Sequence, residues 1–262
     1  MLLGLVCFCL YAGAAGVILL KFFDHKGPNL KLSYLLAIVA LAVHALLLNN
    51  DIFVSLGENL SMLNVASLIG WLISLTMLIA AFTMPNTILL PVVYLFTGVI
   101  ILLDLFIPDA HIMQIGVQPE LMIHIGLALF AYACLGIALL YALQLAYINM
   151  RLKEKKASLL HSSLPPLMMV EGILFKLLTV GTILLTLSLI SGFVFLENMF
   201  AQGQAHKTIL SIMAWLVFST ELIGHFRFGW RGKPIIFATI LGSVLLSLAY
   251  FGSRFVKEII LS

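Results

Sequence analysis

Three histidines stand within or at the ends of long apolar runs: His44, His124 and His225. A neutral imidazole ligates a metal or a haem iron, and two imidazoles from different helices can sandwich one haem. Such groups are costly in hydrocarbon and mark functional positions when they are kept there. Glu221 lies four residues before His225, on the same helical face, where its carboxylate would orient the ring. Each of these has a plainer reading beside it. A histidine near a helix end can be an interfacial or hydrogen-bonded residue, and Glu221 can pair with Arg227 or reach the interface. His25, His111, His161 and His206 fall in loops. Trp71, Trp215 and Trp230 are flat enough to stack on a porphyrin, while membrane tryptophans also serve in interfacial belts and helix packing.

Other chemistries lack their residues. The chain has no HExxH motif, no Cys–His cluster, no carboxylate pair at ligand spacing and no glycine-rich phosphate loop. No nucleophile–base pair is apparent, so the expectation is a protein that is not an enzyme, with no metal beyond a haem iron. Cys7, Cys9 and Cys134 lie in apolar segments without a CxxC motif and read as small packing residues. A net charge of +3 with unclustered basic residues leaves nucleic acid out as a partner.

The elements that must hold these side chains are membrane spans. With 63% hydrophobic and 10% charged residues in 262, and a mean hydropathy of +1.17, the surface itself must face lipid. A span takes about 20 apolar residues. The chain reads as an all-α single transmembrane domain, 1–262, of eight such helices. They are expected at Leu2–Leu20, Leu32–Leu48, Met62–Phe82, Ile88–Phe106, Leu121–Ile148, Ile173–Leu196, Thr208–Gly224 and Pro234–Val256. The first has no basic stretch before it and exceeds a signal-peptide core, so it is read as a span. The fifth should tilt or project from the bilayer, at roughly 40 Å. Pro91 should kink the fourth. Cys134, Ala138, Ala142 and Ala146, at fourfold spacing, predict a close helix–helix face on the fifth.

Loop charge sets the expected orientation. Lys21, Lys26 and Lys31, then Arg151, Lys153, Lys155 and Lys156, then Arg227, Arg231 and Lys233 fall in odd-numbered loops. Loops two and four hold Asp51, Glu58, Asp104, Asp109 and Glu120, without Lys or Arg. Odd loops are therefore cytoplasmic and both termini lie on the outer side. The long loop from Asn149 to Glu171 reads as a solvated connector that also offers charge to anionic headgroups. In depth, His44 and His124 lie near the outer face and His225 near the inner one. A haem between the first two is the easier to build.

The segment ELIGHFRFGWRGKPIIFATILGSVLLSLAYFGSRFV, from Glu221 onward, resembles the end of the cytochrome c assembly membrane proteins. This is the CcsA/CcmC group, and the likeness is greatest to its HemX-like and YpjD-like branch. The matching features are His225 ending a span, the turn Gly229-Trp230-Arg231-Gly232, and Tyr250-Phe251-Gly252 in the last span. His44 followed by Leu60 to Trp71 is similar to the family's histidine, loop and next span. The segment from Met122 is similar to its histidine-led span, with His124 and Tyr132 matching. The resemblance covers most of the chain from about residue 32.

The resemblance implies a multi-pass protein of the bacterial inner membrane that handles haem, with haem b as cofactor. His44, His124 and His225 would be its ligands, with lipid around it and a membrane-protein partner beside it. His44 and His225 would correspond to histidines within the membrane and His124 to an outer-face ligand. Two features depart from the family. The loop Glu197–Lys207 has no tryptophan where the family carries its WWD motif, and the tail VKEIILS has no histidine. Two functions follow: a haem-binding protein that assists cytochrome c assembly or haem delivery, or an accessory or regulatory subunit that binds none. The latter would serve a metal-ion exporter or the control of tetrapyrrole synthesis. An ion transporter using Glu221 and His225 ranks third, because inverted repeats and broken helices are not visible.

Overall fold

The computed structural model describes residues 1–22, 24, 27–54, 57–84, 86–107, 112–113, 118–153, 165–195 and 205–252. Among them are eight α-helices: α1 Leu2–Leu19, α2 Leu30–Ile52, α3 Met62–Ala81, α4 Leu90–Phe106, α5 Pro119–Lys153, α6 Leu167–Phe195, α7 Ala205–Phe228 and α8 Lys233–Ser247. A π-helical turn, Leu248–Gly252, continues α8. Seven of the helices, with that turn counted into α8, are long and apolar enough to cross a membrane, and α4 is shorter at 17 residues.

Each helix falls where a span is expected, and the differences lie at the ends. α6 starts at Leu167 rather than Ile173, which brings Glu171 out of the loop and into the helix. α7 runs to Phe228, so His225 sits in its last turn. α5 reaches 35 residues, roughly 50 Å. Leu196 and the stretch from Ser253 to Val256, the far ends of the expected sixth and eighth spans, lie outside the described residues. Pro91 does not kink a helix. It stands in the first turn of α4, where its missing N–H has no intrahelical acceptor to lose. Of the cysteines, Cys7 is buried as expected, Cys134 is half-buried and Cys9 is exposed.

The chain forms two compact units, residues 1–117 and 118–262. In the first, α1 packs against α2 and α4, and α3 against α2 and α4, closing a four-helix ring. Side-chain caps start two of these helices: Asn29 accepts from Leu32 N and Ser61 from Asn64 N. The composition did not announce a small antiparallel sheet in this unit, β1 Phe53–Val54, β2 Gly57–Asn59 and β3 Ile112–Met113, in the order β1-β2-β3. Asn64 anchors the first hairpin by donating to the carbonyls of Asp51 and Asn59.

The second unit repeats the ring. α5 packs along α6 and α8, and α7 along α6 and α8. The small-residue face of α5 is real for Cys134, Ala138 and Ala142. Ala138 and Ala142 are fully buried, and Gly181 of α6 abuts Cys134 and Leu135 so closely that a Cβ there would lie 2.7 Å from Leu135. In both units large apolar side chains such as Leu35, Phe96, Ile183 and Phe237 face outward, and the polar ones, His44, Thr97, Glu221 and Thr239, face inward. That inversion is what hydrocarbon around the helices demands.

Candidate functional site

His44 belongs to the first unit. It is fully buried, and its ring is held from both sides. Nε2 lies 2.8 Å from Ser67 Oγ on α3, and Nδ1 lies 3.2 Å from the Tyr11 hydroxyl on α1. Tyr11 meets the imidazole edge-on, with centroids 5.7 Å apart. A neutral imidazole has one donor and one acceptor, and two hydroxyls satisfy both. The polar seam continues along α3 and α4, where Ser74 and Thr97 hydroxyls lie 3.0 Å apart and Thr97 donates to the Gly70 carbonyl.

His124 and His225 belong to the second unit and have a different arrangement. His124 Nδ1 lies 2.9 Å from the Ser188 carbonyl and 3.1 Å from Ser191 Oγ, both on α6. A carbonyl only accepts, so Nδ1 carries the hydrogen and Nε2 keeps its lone pair. His225 Nδ1 donates to the Trp230 carbonyl at 3.1 Å, which leaves Nε2 in the same state. Among the described residues neither Nε2 has a hydrogen-bond partner. A backbone carbonyl on Nδ1 with a bare Nε2 is how imidazoles are oriented to ligate metals.

The turn after α7 builds the His225 side. Gly229 has a φ of +67° and its N–H closes on the His225 carbonyl, while Trp230 N–H reaches back to Gly224. The absence of a side chain at Gly224 lets the Trp230 indole fold over the helix end. The His225 ring lies flat on Phe175 of α6, with centroids 3.3 Å apart and planes 15° apart. Beside it is a cleft of 450 Å³ whose lining includes Glu171, Phe175, Lys176, His225, Phe226 and Arg231. Arg231 donates from Nε to both oxygens of Glu171, at 3.1 Å each, and from Nη2 at 2.8 Å. Those hydrogen bonds and the carboxylate's charge raise the guanidinium's already high pKa.

His124 and His225 lie at opposite ends of their unit. The α6 residues they touch, Ser188 and Phe175, are 13 positions apart, roughly 20 Å along the helix. Glu221 meets neither Arg227 nor the His225 ring. Thr239 of α8 lies 2.6 Å from its Oε1, and Oε2 is buried without a partner among the described residues. Tyr132, the tyrosine of the histidine-led span, shares a 2.7 Å hydrogen bond with Ser247 and packs against Tyr250 and Phe251. The tryptophans are engaged in packing. Trp71 Nε1 donates to the Leu41 carbonyl and Trp215 Nε1 to Thr186.

His25, His111, His161, residues 197–204 of the tryptophan-free loop, and the tail VKEIILS lie outside the described residues; His206 stands in the first turn of α7. Sequence reasoning missed Tyr11, Ser67, Glu171, Phe175 and Ser188. Their partners are 23 to 64 positions away in the chain, and nothing in the local pattern marks them.

Comparison with known proteins matches these features to a family. The pattern described as Cytochrome C assembly protein covers residues 30–261. The inner membrane protein YpjD of Escherichia coli strain K12 is 39% identical over 252 residues, 95% of each chain. A 28.8 kDa protein of Azospirillum brasilense, named for a nifR3-like 5' region, is 30% identical over 141 residues, 53% of this chain and 52% of that one. The cytochrome c biogenesis protein CcsA of Prochlorococcus marinus strain MIT 9303 is 29% identical over 84 residues, 31% of this chain and 26% of its own. No solved structure matches. The histidine-bearing helices, the turn at Trp230 and a match over nearly the whole chain agree: this multi-pass protein of the inner membrane belongs to the cytochrome c assembly protein family, in its YpjD-like branch.

Proposed function

We propose that the protein binds haem b in the membrane and serves cytochrome c assembly or haem delivery. The observation that carries this is the cleft at His225, where an imidazole with a bare Nε2 stands over an aromatic floor beside cationic side chains. The residues there fit the group. His225 would hold the iron, the Phe175–Phe226 side would take the apolar face, and Lys176 and Arg231 are near enough to the cleft to meet carboxylates. Bound haem would supply an iron porphyrin to be stored or passed on. His124 offers the same tautomer at the other end of its unit. His44 would have to give up a hydrogen bond to Ser67 or Tyr11 before ligating, so it enters this reading only after a local rearrangement.

A second reading is an accessory or regulatory subunit in complex with another membrane protein, without haem. The sealed His44 and the tryptophan-free loop support it. An absorbance spectrum of the detergent-purified chain, with and without dithionite, separates the two. The haem reading expects a Soret band that weakens in His225→Ala. A colourless protein that takes up no added haemin overturns it.

A further inference from the structure

We propose that the second unit holds a sodium ion between α7 and α8, bound by the Glu221 carboxylate and the hydroxyls of Thr239 and Ser243. This goes beyond haem handling and does not depend on haem being bound.

The hydrogen-bond geometry is that of an ionised carboxylate. Thr239 Oγ1 lies 2.6 Å from Glu221 Oε1. A hydroxyl donating to a charged oxygen spans about 2.5–2.7 Å, and a neutral pair about 2.7–2.8 Å. The same hydroxyl lies 2.9 Å from the Ile235 carbonyl, one turn back in α8. That carbonyl already accepts the Thr239 N–H within the helix, so it stays satisfied when the hydroxyl hydrogen goes to Glu221. Glu221 is 1% exposed, and its Oε2 has no hydrogen-bond partner among the described residues. A negative charge buried in this way needs a positive one beside it. No basic side chain pairs with Glu221 among the described residues. Arg231 is held by Glu171, Lys176 lines the cleft, and Lys233 lies six residues before Thr239, roughly 9 Å along α8.

Packing brings a third oxygen to the same place. Glu221 meets Thr239, and Phe218 meets Gly242 so closely that a Cβ there would lie 2.7 Å from the ring. These two contacts make α7 and α8 antiparallel and tightly apposed. Ser243 is one turn beyond Thr239 on the same face of α8, their Cβ atoms roughly 6 Å apart. Helical side chains lean toward the N-terminus of their own helix. Across an antiparallel pair, Glu221 therefore leans toward the Ser243 turn and Ser243 leans back toward Glu221. Ser243 Oγ is also buried without a hydrogen-bond partner among the described residues. Oxygens that share an ion of this size, at about 2.4 Å each, stand roughly 3.4 Å or more apart. They face one another without being hydrogen-bonded to each other, as the Glu221 Oε2 and Ser243 oxygens do.

The ligand set selects the ion. It offers oxygen alone, without the thiolate or imidazole that transition metals favour. One carboxylate balances one positive charge, and a divalent ion would leave net charge in hydrocarbon. Each hydroxyl keeps lone pairs for the ion while its hydrogen goes to an acceptor. The bound ion ties α7 to α8 across their seam, so the stability of the second unit follows the sodium concentration.

Thermal unfolding and equilibrium dialysis of the purified full chain in detergent test the proposal. Sodium chloride is expected to raise the unfolding midpoint saturably above choline chloride at equal ionic strength. Dialysis against radioactive sodium should find one ion per chain. Both effects should vanish in Glu221→Gln and persist in Ser74→Ala, which alters the first unit. Ser243→Ala should weaken the sodium affinity by about tenfold, the loss of one oxygen ligand. Equal midpoints in sodium and choline, or sodium bound equally by Glu221→Gln, overturn the site. An infrared carbonyl band of a protonated Glu221 that survives saturating sodium shows a proton in the ion's place and overturns it too. If Glu221→Gln fails to fold, Ser243→Ala decides: an unchanged sodium affinity overturns the proposal.

Discussion

The indole of Trp230 fills the space that a side chain at Gly224 would need. A Cβ at position 224 would lie 2.8 Å from indole Cζ3 and closer still to its neighbours in the ring. The same tryptophan presents its carbonyl to His225 Nδ1. One missing methyl therefore sets both the turn between α7 and α8 and the tautomer of the histidine in the cleft.

Gly224→Ala is expected to lower stability by about 1–3 kcal/mol, because the indole or the helix end must shift. Gly126→Ala, on α5 with open space around its Cα, is expected to raise it by about 0.5–1 kcal/mol through lost backbone freedom in the unfolded chain. Thermal unfolding in detergent measures both. Equal midpoints for the two variants would show that Trp230 does not depend on Gly224.

His44→Ala should act on stability rather than on any chromophore. The substitution leaves the hydroxyls of Tyr11 and Ser67 facing a gap, at about 1–3 kcal/mol for a buried group left unpaired. A double-mutant cycle with Ser67→Ala should give a coupling of about 0.5–3 kcal/mol. Folded His44→Ala protein is expected to keep whatever haem spectrum the wild type has, whereas His225→Ala loses it. Loss of colour in His44→Ala at unchanged stability would reverse this assignment.

The pair Glu171–Arg231 should behave asymmetrically. Arg231 is 56% exposed and Glu171 only 5%. Removing the arginine strands a carboxylate away from water, while removing both charges strands nothing. Arg231→Ala should therefore destabilise more than Arg231→Ala combined with Glu171→Gln. Midpoints of thermal unfolding for the single and double variants settle the order.

Orientation can be read from single cysteines placed in a background lacking Cys7, Cys9 and Cys134. With odd loops cytoplasmic, Lys153→Cys should resist a membrane-impermeant maleimide added to intact spheroplasts, and Glu58→Cys should react. The reverse pattern would turn the whole bundle over.

What the amino-acid sequence determined by itself is the set of spans. Hydrocarbon around a helix requires about 20 apolar residues in a row, and that demand is local, so each helix from α1 to α8 was legible within a few positions. The ends were less so. Whether Glu171 and His225 lie in a helix or a loop depends on the partner each finds, Arg231 for one and the Trp230 carbonyl for the other. The three histidines were visible as residues, but not their states. Only packing decided that His44 spends both nitrogens on Ser67 and Tyr11, while His124 and His225 each keep one bare. An imidazole's chemistry is set by what meets its nitrogens; for His44 and His124 those groups come from other helices, up to 67 positions away in the chain, and for His225 from the turn that follows its own helix. The sheet of β1, β2 and β3 was hidden for the same reason, since short strands are stabilised by each other and carry almost no signal of their own.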